Sequence, residues 1–520
     1  MVRGLRAEVA DTPSRRHWLA PLGFAGAFCM LGLLTLDAFG ASWDEPLHRG
    51  WGEANWAYLR TGDPALVTGL PGGGDHYGPF FYLLGYGVSR LLHNVAGLDF
   101  TPANHVLTLI TASIGVACTF LLAESLFNRR AAIAATTLLI LTPPFLAHAH
   151  YNPKDIPLLT LVTATLLFAT MAYRSRRAVH AVIAGALLGL AIAMKATAFI
   201  LVPILLAALS VDLLPSRLTA LRASIRLTLI AAIAAVVALF LGWPILWRQP
   251  ARLLESIAYF ARGSFWSGNV LYFGEMTPAT ALPWHYAPVM LILALPMSMV
   301  LLSVIGAVSS AEHARAPENR FRAALPILWA ILPVMLFLKP GLARYDGMRQ
   351  LFFMVPAVAI LAGAGWDTIW SRLRARRWRR SFMLLSALLV SWLAIDGARA
   401  FPYGGSWVNA PARAVLGPHL ERRFEIEYWG VSYREGLRWL QRSAEVDARV
   451  CTPVATHLVA WQADVIRPDL GYECDGQPDY IMLMTRFSEW PDRYLAFRDT
   501  APVLTISRFG SDLLYIYRAR

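Results

Sequence analysis

Apolar stretches recur along the chain near residues 19–40, 104–127, 131–148, 156–173, 179–194, 196–211, 224–243, 286–309, 323–339, 349–367 and 381–398. Each is close to the length that crosses a bilayer as helix, so the pattern predicts about eleven spans, give or take two. The run 179–211 is interrupted only by Lys195 and is too long for one crossing, which divides it there. From about residue 399 the chain is polar throughout, with helical periodicity at 433–442 and strand-like runs at 450–455, 479–484 and 502–507. A hairpin is expected to turn at Phe509-Gly510-Ser511-Asp512 into Leu513 to Tyr517. The predicted fold is a polytopic α-helical membrane protein with a small α/β C-terminal domain.

Composition agrees: 56% of residues are hydrophobic and only 16% charged, and the mean hydropathy is +0.46, far from soluble averages. Short cytoplasmic loops are enriched in Lys and Arg. Arg3, Arg6, Arg15 and Arg16 precede the first stretch, and every second connection afterwards is basic: Arg129-Arg130, then Arg174, Arg176 and Arg177, then Arg217, Arg222 and Arg226, then Arg315, Arg320 and Arg322, then the run from Arg372 to Arg380. This alternation predicts a cytoplasmic N-terminus over residues 1–18, a membrane domain over 19–398 with outer loops 41–103, 149–155, 244–285 and 340–348, and an outer domain over 399–520. The net charge of +13 is then an orientation signal and a contact with anionic membrane lipids, with no nucleic-acid partner implied. No small-residue cleavage site follows the first apolar run, so that run is read as retained. Arg- and Ala-rich usage suggests a GC-rich bacterium, which gives a multi-pass inner-membrane protein whose outer face is periplasmic.

Candidate chemistry collects on the outer side. Asp44-Glu45 follows the first stretch at the edge of the hydrocarbon, where a charge is costly without a partner or a task. The alternative is a solvated loop in which Pro46 opens a surface helix. The chain has 47 basic residues and only three are lysines, Lys154, Lys195 and Lys339, each at the outer end of a stretch. A lysine there suits a phosphate or carboxylate at close quarters, although snorkelling explains any one of them. In 41–103 a Gly-rich turn leads to His76-Tyr77-Gly78-Pro79-Phe80-Phe81-Tyr82, read as an interfacial aromatic helix in which only Asp75, His76 and Tyr77 are placed for a substrate. The second outer loop holds His148, His150 and Tyr151-Asn152-Pro153-Lys154-Asp155; Asp155 starts a helix and could serve as its cap. His148 and His150 stand two apart and face different ways on a helix, which disfavours a metal pair. Segment 244–285 reads as an amphipathic cover over a lipid-facing groove. Lys339, Arg344 and Arg349 present three cations just before a late span and could hold a phosphate or pyrophosphate, the alternative being a lipid-headgroup anchor. Cys451 and Cys474 fall in the outer domain, where a disulfide is permitted, whereas Cys29 and Cys118 lie in spans.

These residues together resemble the integral-membrane glycosyltransferases of the GT-C class, specifically the protein O-mannosyltransferase and lipid A aminoarabinose transferase superfamily. Asp44-Glu45 resembles its acidic motif in the first outer loop, and the stretch from His76 to Tyr82 the segment that follows. Tyr151 to Asp155 falls where that family has its second acidic site, and Arg344-Tyr345 resembles its donor-phosphate contacts. The resemblance covers most of 19–370 and implies a polyprenyl-phosphate-linked sugar donor and a lipid, glycan or protein acceptor. The chemistry fits: Asp44 would serve as general base, with Glu45 and Asp155 as accompanying catalytic carboxylates. Lys154, Lys195 and Arg344, with Tyr345 and Arg349, would bind and stabilise the departing phosphate. His76 and Tyr77 would face the acceptor, and attack opposite the leaving group would invert the anomeric centre. Family members differ in metal use, so no cofactor is certain and Glu45 with Asp155 could ligate a divalent cation. A transporter or flippase of a lipid-linked sugar is the other class with many spans, but its charges should reach mid-membrane.

Overall fold

The computed structural model describes residues 15–213, 218–263, 266–462 and 464–519. Arg3, Arg6 and Arg217 of the charge argument lie outside these residues. In chain order the helices are α1 (Arg15–Leu34), α2 (Glu45–Thr61), α3 (Phe80–Ala96), α4 (Phe100–Leu126), α5 (Arg129–Ile140), α6 (Pro143–Tyr151), α7 (Asp155–Ser175), α8 (Ala178–Ile192), α9 (Leu201–Leu213), α10 (Leu218–Gly242) and α11 (Arg252–Arg262). The hairpin β1 (Asn269–Tyr272) and β2 (Glu275–Pro278) precedes α12 (Tyr286–Ala294), α13 (Met297–His313), α14 (Arg320–Phe337), α15 (Val355–Arg372) and α16 (Arg376–Ala400). The C-terminal part adds α17 (Ala410–Leu416), α18 (Tyr433–Ser443), β3 (Val450–Cys451), β4 (Tyr480–Met484), β5 (Leu504–Arg508) and β6 (Ser511–Arg518).

Among the described residues, six helices are long and apolar enough to cross a membrane, and eight segments if the bent pairs α5–α6 and α12–α13 each count as one. Three shorter apolar helices stand at Trp18–Leu34, Ala178–Ile192 and Ala196–Val211. Every expected stretch falls on one of these segments, and the bends arise at chain breaks that hydropathy does not register. Thr142-Pro143-Pro144 turns α5 into α6 by 65°, and Leu295-Pro296 turns α12 into α13 by 113°, because proline cannot continue the hydrogen-bond ladder. The long run does break at Lys195, where α8 ends and the short 3-10 turn Ala196–Ile200 begins. Small residues bring the helices close: a side chain at Gly185 would meet the backbone of Ala231 in α10, and one at Gly306 the backbone of Leu361 in α15. Exposed Leu229, Ile233 and Val237 on α10 and Leu384, Leu385 and Leu388 on α16 form the apolar outer surface that lipid satisfies.

The C-terminal residues build a four-stranded sheet of order β3-β4-β6-β5, parallel only between β3 and β4. Cys451 is disulfide-bonded to Cys474. The core of this part is shared. Val270, Leu271 and Tyr272 of β1, Tyr286, Ala343 and Tyr151 pack in one cluster with Phe424, Trp429, Leu437 and Leu483. Within segment 244–285, β1 is buried in this shared core, while the amphipathic α11 lies on the loop at 71–77, with Tyr259 stacked on His76 and Phe260 edge-on to Tyr77. The aromatic helix differs from expectation. Pro71–His76 is a 3-10 turn, the helix starts only at Phe80, and Phe81, Tyr82 and Tyr86 are buried instead of lying at an interface. Gly52 of α2 makes this docking fit, since a side chain there would meet the backbone of Tyr82.

Candidate active site

Four separate stretches converge on Asp44. Pro46 sits in the first turn of α2, where its missing N–H costs nothing, and the Asp44 side chain makes no cap bond to that helix. Its carboxylate turns to cations instead: Arg349 Nη2 lies 3.0 Å from Oδ2 and Lys154 Nζ 4.0 Å from it. Glu45 behaves differently. It is fully buried, and its oxygens accept from Ser42 N at 2.8 Å, Asn104 Nδ2 at 3.2 Å and His105 Nε2 at 3.1 Å, which fastens the start of α2 to α4.

The loop before α7 is organised by Asn152. Its Oδ1 accepts from the N–H groups of Lys154 and Asp155, an Asx turn, and its Nδ2 reaches His148 Nδ1 at 2.8 Å and Asp155 Oδ2 at 3.0 Å. Asp155 is thereby turned so that Oδ1 meets Lys195 Nζ at 2.9 Å. The Lys154 ammonium lies 4.1 Å above the Tyr77 ring and 5.6 Å from that of Trp51, a cation–π seat for a nearly buried charge.

Arg349 is aimed by a tight turn in which Asp346 and Gly347 both have positive φ, 55° and 62°. That turn returns the chain so that Asp346 Oδ2 holds Arg349 Nη1 at 3.1 Å, while Oδ1 takes Arg486 Nη2 at 3.0 Å. Arg486 belongs to the C-terminal part and pairs further with Glu425 at 3.2 Å. The Arg349 guanidinium lies over Trp429, 4.7 Å from its centroid. A continuous line of buried ion pairs thus runs Glu425–Arg486–Asp346–Arg349–Asp44.

Several expected site residues stand elsewhere. Arg344 is almost fully buried and donates to the carbonyls of Phe337, Leu282 and Lys339 at 2.7, 2.6 and 2.5 Å; it fastens its own loop and is not available as a phosphate clamp. Lys339 is exposed, with only a 3.5 Å contact to the Ala261 carbonyl. Tyr345 packs against Trp266 and flanks Arg349 at 5.6 Å. Tyr77 is buried beneath Lys154 and stacked on Trp51, so only His76 stays partly open. Glu45 and Asp155 have separate partners and do not form a joint metal site. Among the described residues, the one His/Cys/Asp/Glu group with converging ligand atoms is His419, Glu421 and Asp512, in the C-terminal part.

Burial would raise the Asp44 carboxyl, but Arg349 and Lys154 overcome it and hold it well below the usual range. Burial pushes the Lys154 ammonium below its ordinary value against the pull of Asp44. It also pushes the His48 imidazole down to about 3 and the Glu425 carboxyl up to about 7. The site is therefore a nearly buried carboxylate kept ionised by two cations, the kinds of group that removing a proton while neutralising charge on another group would require. Sequence reading missed Asn152 as an organiser, and Asp346, Arg486 and Glu425 altogether. The Asn-Pro pair at 152–153 is a turn signal, but nothing local marks Arg486, whose partner is 140 residues away.

Residues 86–243 match the family model described as dolichyl-phosphate-mannose-protein mannosyltransferase. No curated protein matches the sequence. Among solved structures, the chain is similar to ArnT from Cupriavidus metallidurans bound to undecaprenyl phosphate, at 17% identity and a TM-score of 0.50, over 97% of this chain and 98% of that one. It is also similar to the archaeal oligosaccharyltransferase AglB from Archaeoglobus fulgidus in complex with an inhibitory peptide and a dolichol-phosphate, at 15% identity and a TM-score of 0.51, over 90% of this chain and 70% of that one. The chain thus shares the fold of these two solved structures, and its early membrane helices carry the family-model match.

Proposed function

We propose that this protein is a membrane glycosyltransferase that moves a monosaccharide from a polyprenyl-phosphate carrier to a hydroxyl acceptor on the outer face of the membrane, with inversion. The observation that carries this reading is the Asp44 carboxylate 3.0 Å from Arg349 and 4.0 Å from Lys154, in a nearly buried cluster beside the apolar helices. The two solved structures described above hold undecaprenyl phosphate and dolichol-phosphate, ligands whose phosphate would suit the cations beside Asp44. In this reading the acceptor hydroxyl loses its proton to Asp44 as its oxygen bonds the anomeric carbon. The bond from that carbon to the phosphate oxygen breaks, and the released polyprenyl phosphate carries the departing charge against Arg349 and Lys154. Donor binding also arms the base. When phosphate oxygens draw the two cations, Asp44 loses the partners that depress its pKa and becomes a stronger proton acceptor. Asp155 and Lys195 hold Lys154's loop in place, and the orientation expected from the basic loops puts this cleft in the periplasm.

The test is transfer of labelled sugar from a panel of polyprenyl-phosphate monosaccharides in membranes containing wild type or Asp44→Asn. Label moved by wild type and not by the variant, with both chains equally folded, supports the reading and names the donor. Label moved equally by both removes Asp44 as base. Label moved by neither, with lipid, glycan and protein acceptors present, favours transport of a lipid-linked sugar.

A further inference from the structure

One helical turn beyond Asp44 stands His48, only 3% exposed, and neither of its ring nitrogens has a hydrogen-bond partner. Its ring stacks on Tyr82 with centroids 4.8 Å apart, and the Tyr82 hydroxyl, 4% exposed, is unpartnered as well. Buried polar groups are almost always paired, because leaving one unmet costs about 1–3 kcal/mol. Three such atoms side by side mark a place where something else supplies the bonds. Residues four apart share a helix face, so His48 and Asp44 look the same way, and the backbone bond from His48 N to Asp44 O at 3.0 Å fixes that alignment. The surroundings extend the same surface. His48 lies 5.2 Å from Trp51, Trp51 meets Tyr82 edge-on at 5.1 Å, and Tyr77 stacks on Trp51 beneath the Lys154 ammonium.

The ligand's chemistry follows from the groups. A neutral imidazole offers one N–H donor and one acceptor, and a phenol offers both from one oxygen. That set matches neighbouring hydroxyls and does not match a phosphate, which Arg349 and Lys154 already suit. An aromatic wall with a few fixed polar atoms is the usual build of a small-molecule site. We infer that His48 and Tyr82 bind the hydroxyls of the transferred monosaccharide and hold it beside Asp44, a sugar subsite distinct from the phosphate-facing cations. The inference rests on the glycosyltransferase reading above. Asp44 is the most open member of this group, with 16% of the side chain exposed, and the turn Pro71–His76 covers the wall. Gly74 lets that turn lie against Trp51, since a side chain at Gly74 would meet the indole.

Binding separates this inference from its parent. The full-length protein in nanodiscs is titrated with undecaprenyl phosphate and with undecaprenyl phosphate bearing mannose, glucose or arabinose, for wild type, His48→Phe and Tyr82→Phe. The expected result is a loss of about tenfold in affinity for the preferred sugar-bearing lipid in each variant, the size of one buried hydrogen bond left unmade, with undecaprenyl phosphate itself bound as in wild type. Equal affinity of variants and wild type for the sugar-bearing lipid, or equal loss for both lipids, would overturn the subsite while leaving the phosphate cleft standing. Wild type that binds none of these lipids removes the donor reading and the subsite together. Tyr82→Phe deletes a single oxygen, so it keeps the test alive if His48→Phe unfolds, and monodisperse thermal unfolding of each variant checks this.

Discussion

Adjacent residues of one chemical type have opposite uses here. Asp44 keeps its carboxylate for two cations, whereas Glu45 is enclosed by Ser42, Asn104 and His105. Glu45→Gln removes the charge from bonds that are buried and charge-assisted, a loss of about 1–3 kcal/mol. It should lower the thermal midpoint, and Asp44→Asn, which leaves Arg349 and Lys154 without their shared carboxylate, should lower it as well; a thermal scan of both purified variants checks this, and an unchanged midpoint in either contradicts it. Arg349 is the cation nearest Asp44, the proposed base, and removing one preorganised charge from such a site typically costs about 10²-fold or more in rate. Arg349→Gln should therefore cut kcat by about 10² in the transfer assay, and Arg349→Lys should recover part of it without restoring the two-sided hold on Asp44 and Asp346.

At the scale of elements, the loop between α14 and α15 must deliver Arg349, and Arg344 is what fixes it. Three backbone carbonyls depend on that guanidinium, and a buried acceptor left unmet is destabilising. Arg344→Gln is expected to loosen residues 337–349, read as faster amide exchange there, and to lower kcat with only a small weakening of donor Kd, transmitted through Arg349. A direct phosphate-binding role would instead weaken that Kd by an order of magnitude or so. The break at Lys195 was legible, because a lysine in a long apolar run marks either an error or an end. The bends inside α5–α6 and α12–α13 were not, since a hydropathy average counts a prolyl turn as just another apolar position.

At the scale of the whole molecule, the C-terminal part is not an appendage. Its core is continuous with β1, α12 and the Ala343 turn, and its Arg486 is the second link in the ion-pair line to Asp44. Asp396 of α16 is tied in the same way, by Trp407 and Arg413. Glu425 gives this junction a pH signature. Its carboxyl is held at about 7 when folded, above its ordinary 4.5, so the folded chain binds a proton that the unfolded chain has released. Its contribution to stability is full below pH 4.5 and is lost as pH rises to about 7. Thermal midpoints of wild type and Glu425→Gln across that window should differ in slope, with the variant lacking this descending component; parallel profiles would contradict it. The Cys451–Cys474 bridge closes 23 residues of the C-terminal part, and Cys451→Ser should destabilise it by about 3 kcal/mol on the loop-entropy account, read as increased exchange in β3 and β4.

Hydrophobic periodicity and length are properties of consecutive residues, and so the sequence by itself determined the membrane class, the apolar segments, the helix at α18 and the strands near β4 to β6, and it singled out Asp44, Lys154 and Asp155, which the structure pairs with buried charges. The cost of charge at the hydrocarbon edge singled these residues out before any contact was visible. Which cation faces which carboxylate was decided only by tertiary structure. Arg344 and Arg349 are equally cationic in the sequence, but one is turned into backbone carbonyls and the other across to Asp44 by the left-handed turn at Asp346 and Gly347. His48 and Tyr82 look like ordinary helix positions until two helices meet at Gly52 and leave their polar atoms without partners. Pairing and orphaning are relations between distant residues, which one-dimensional pattern does not encode.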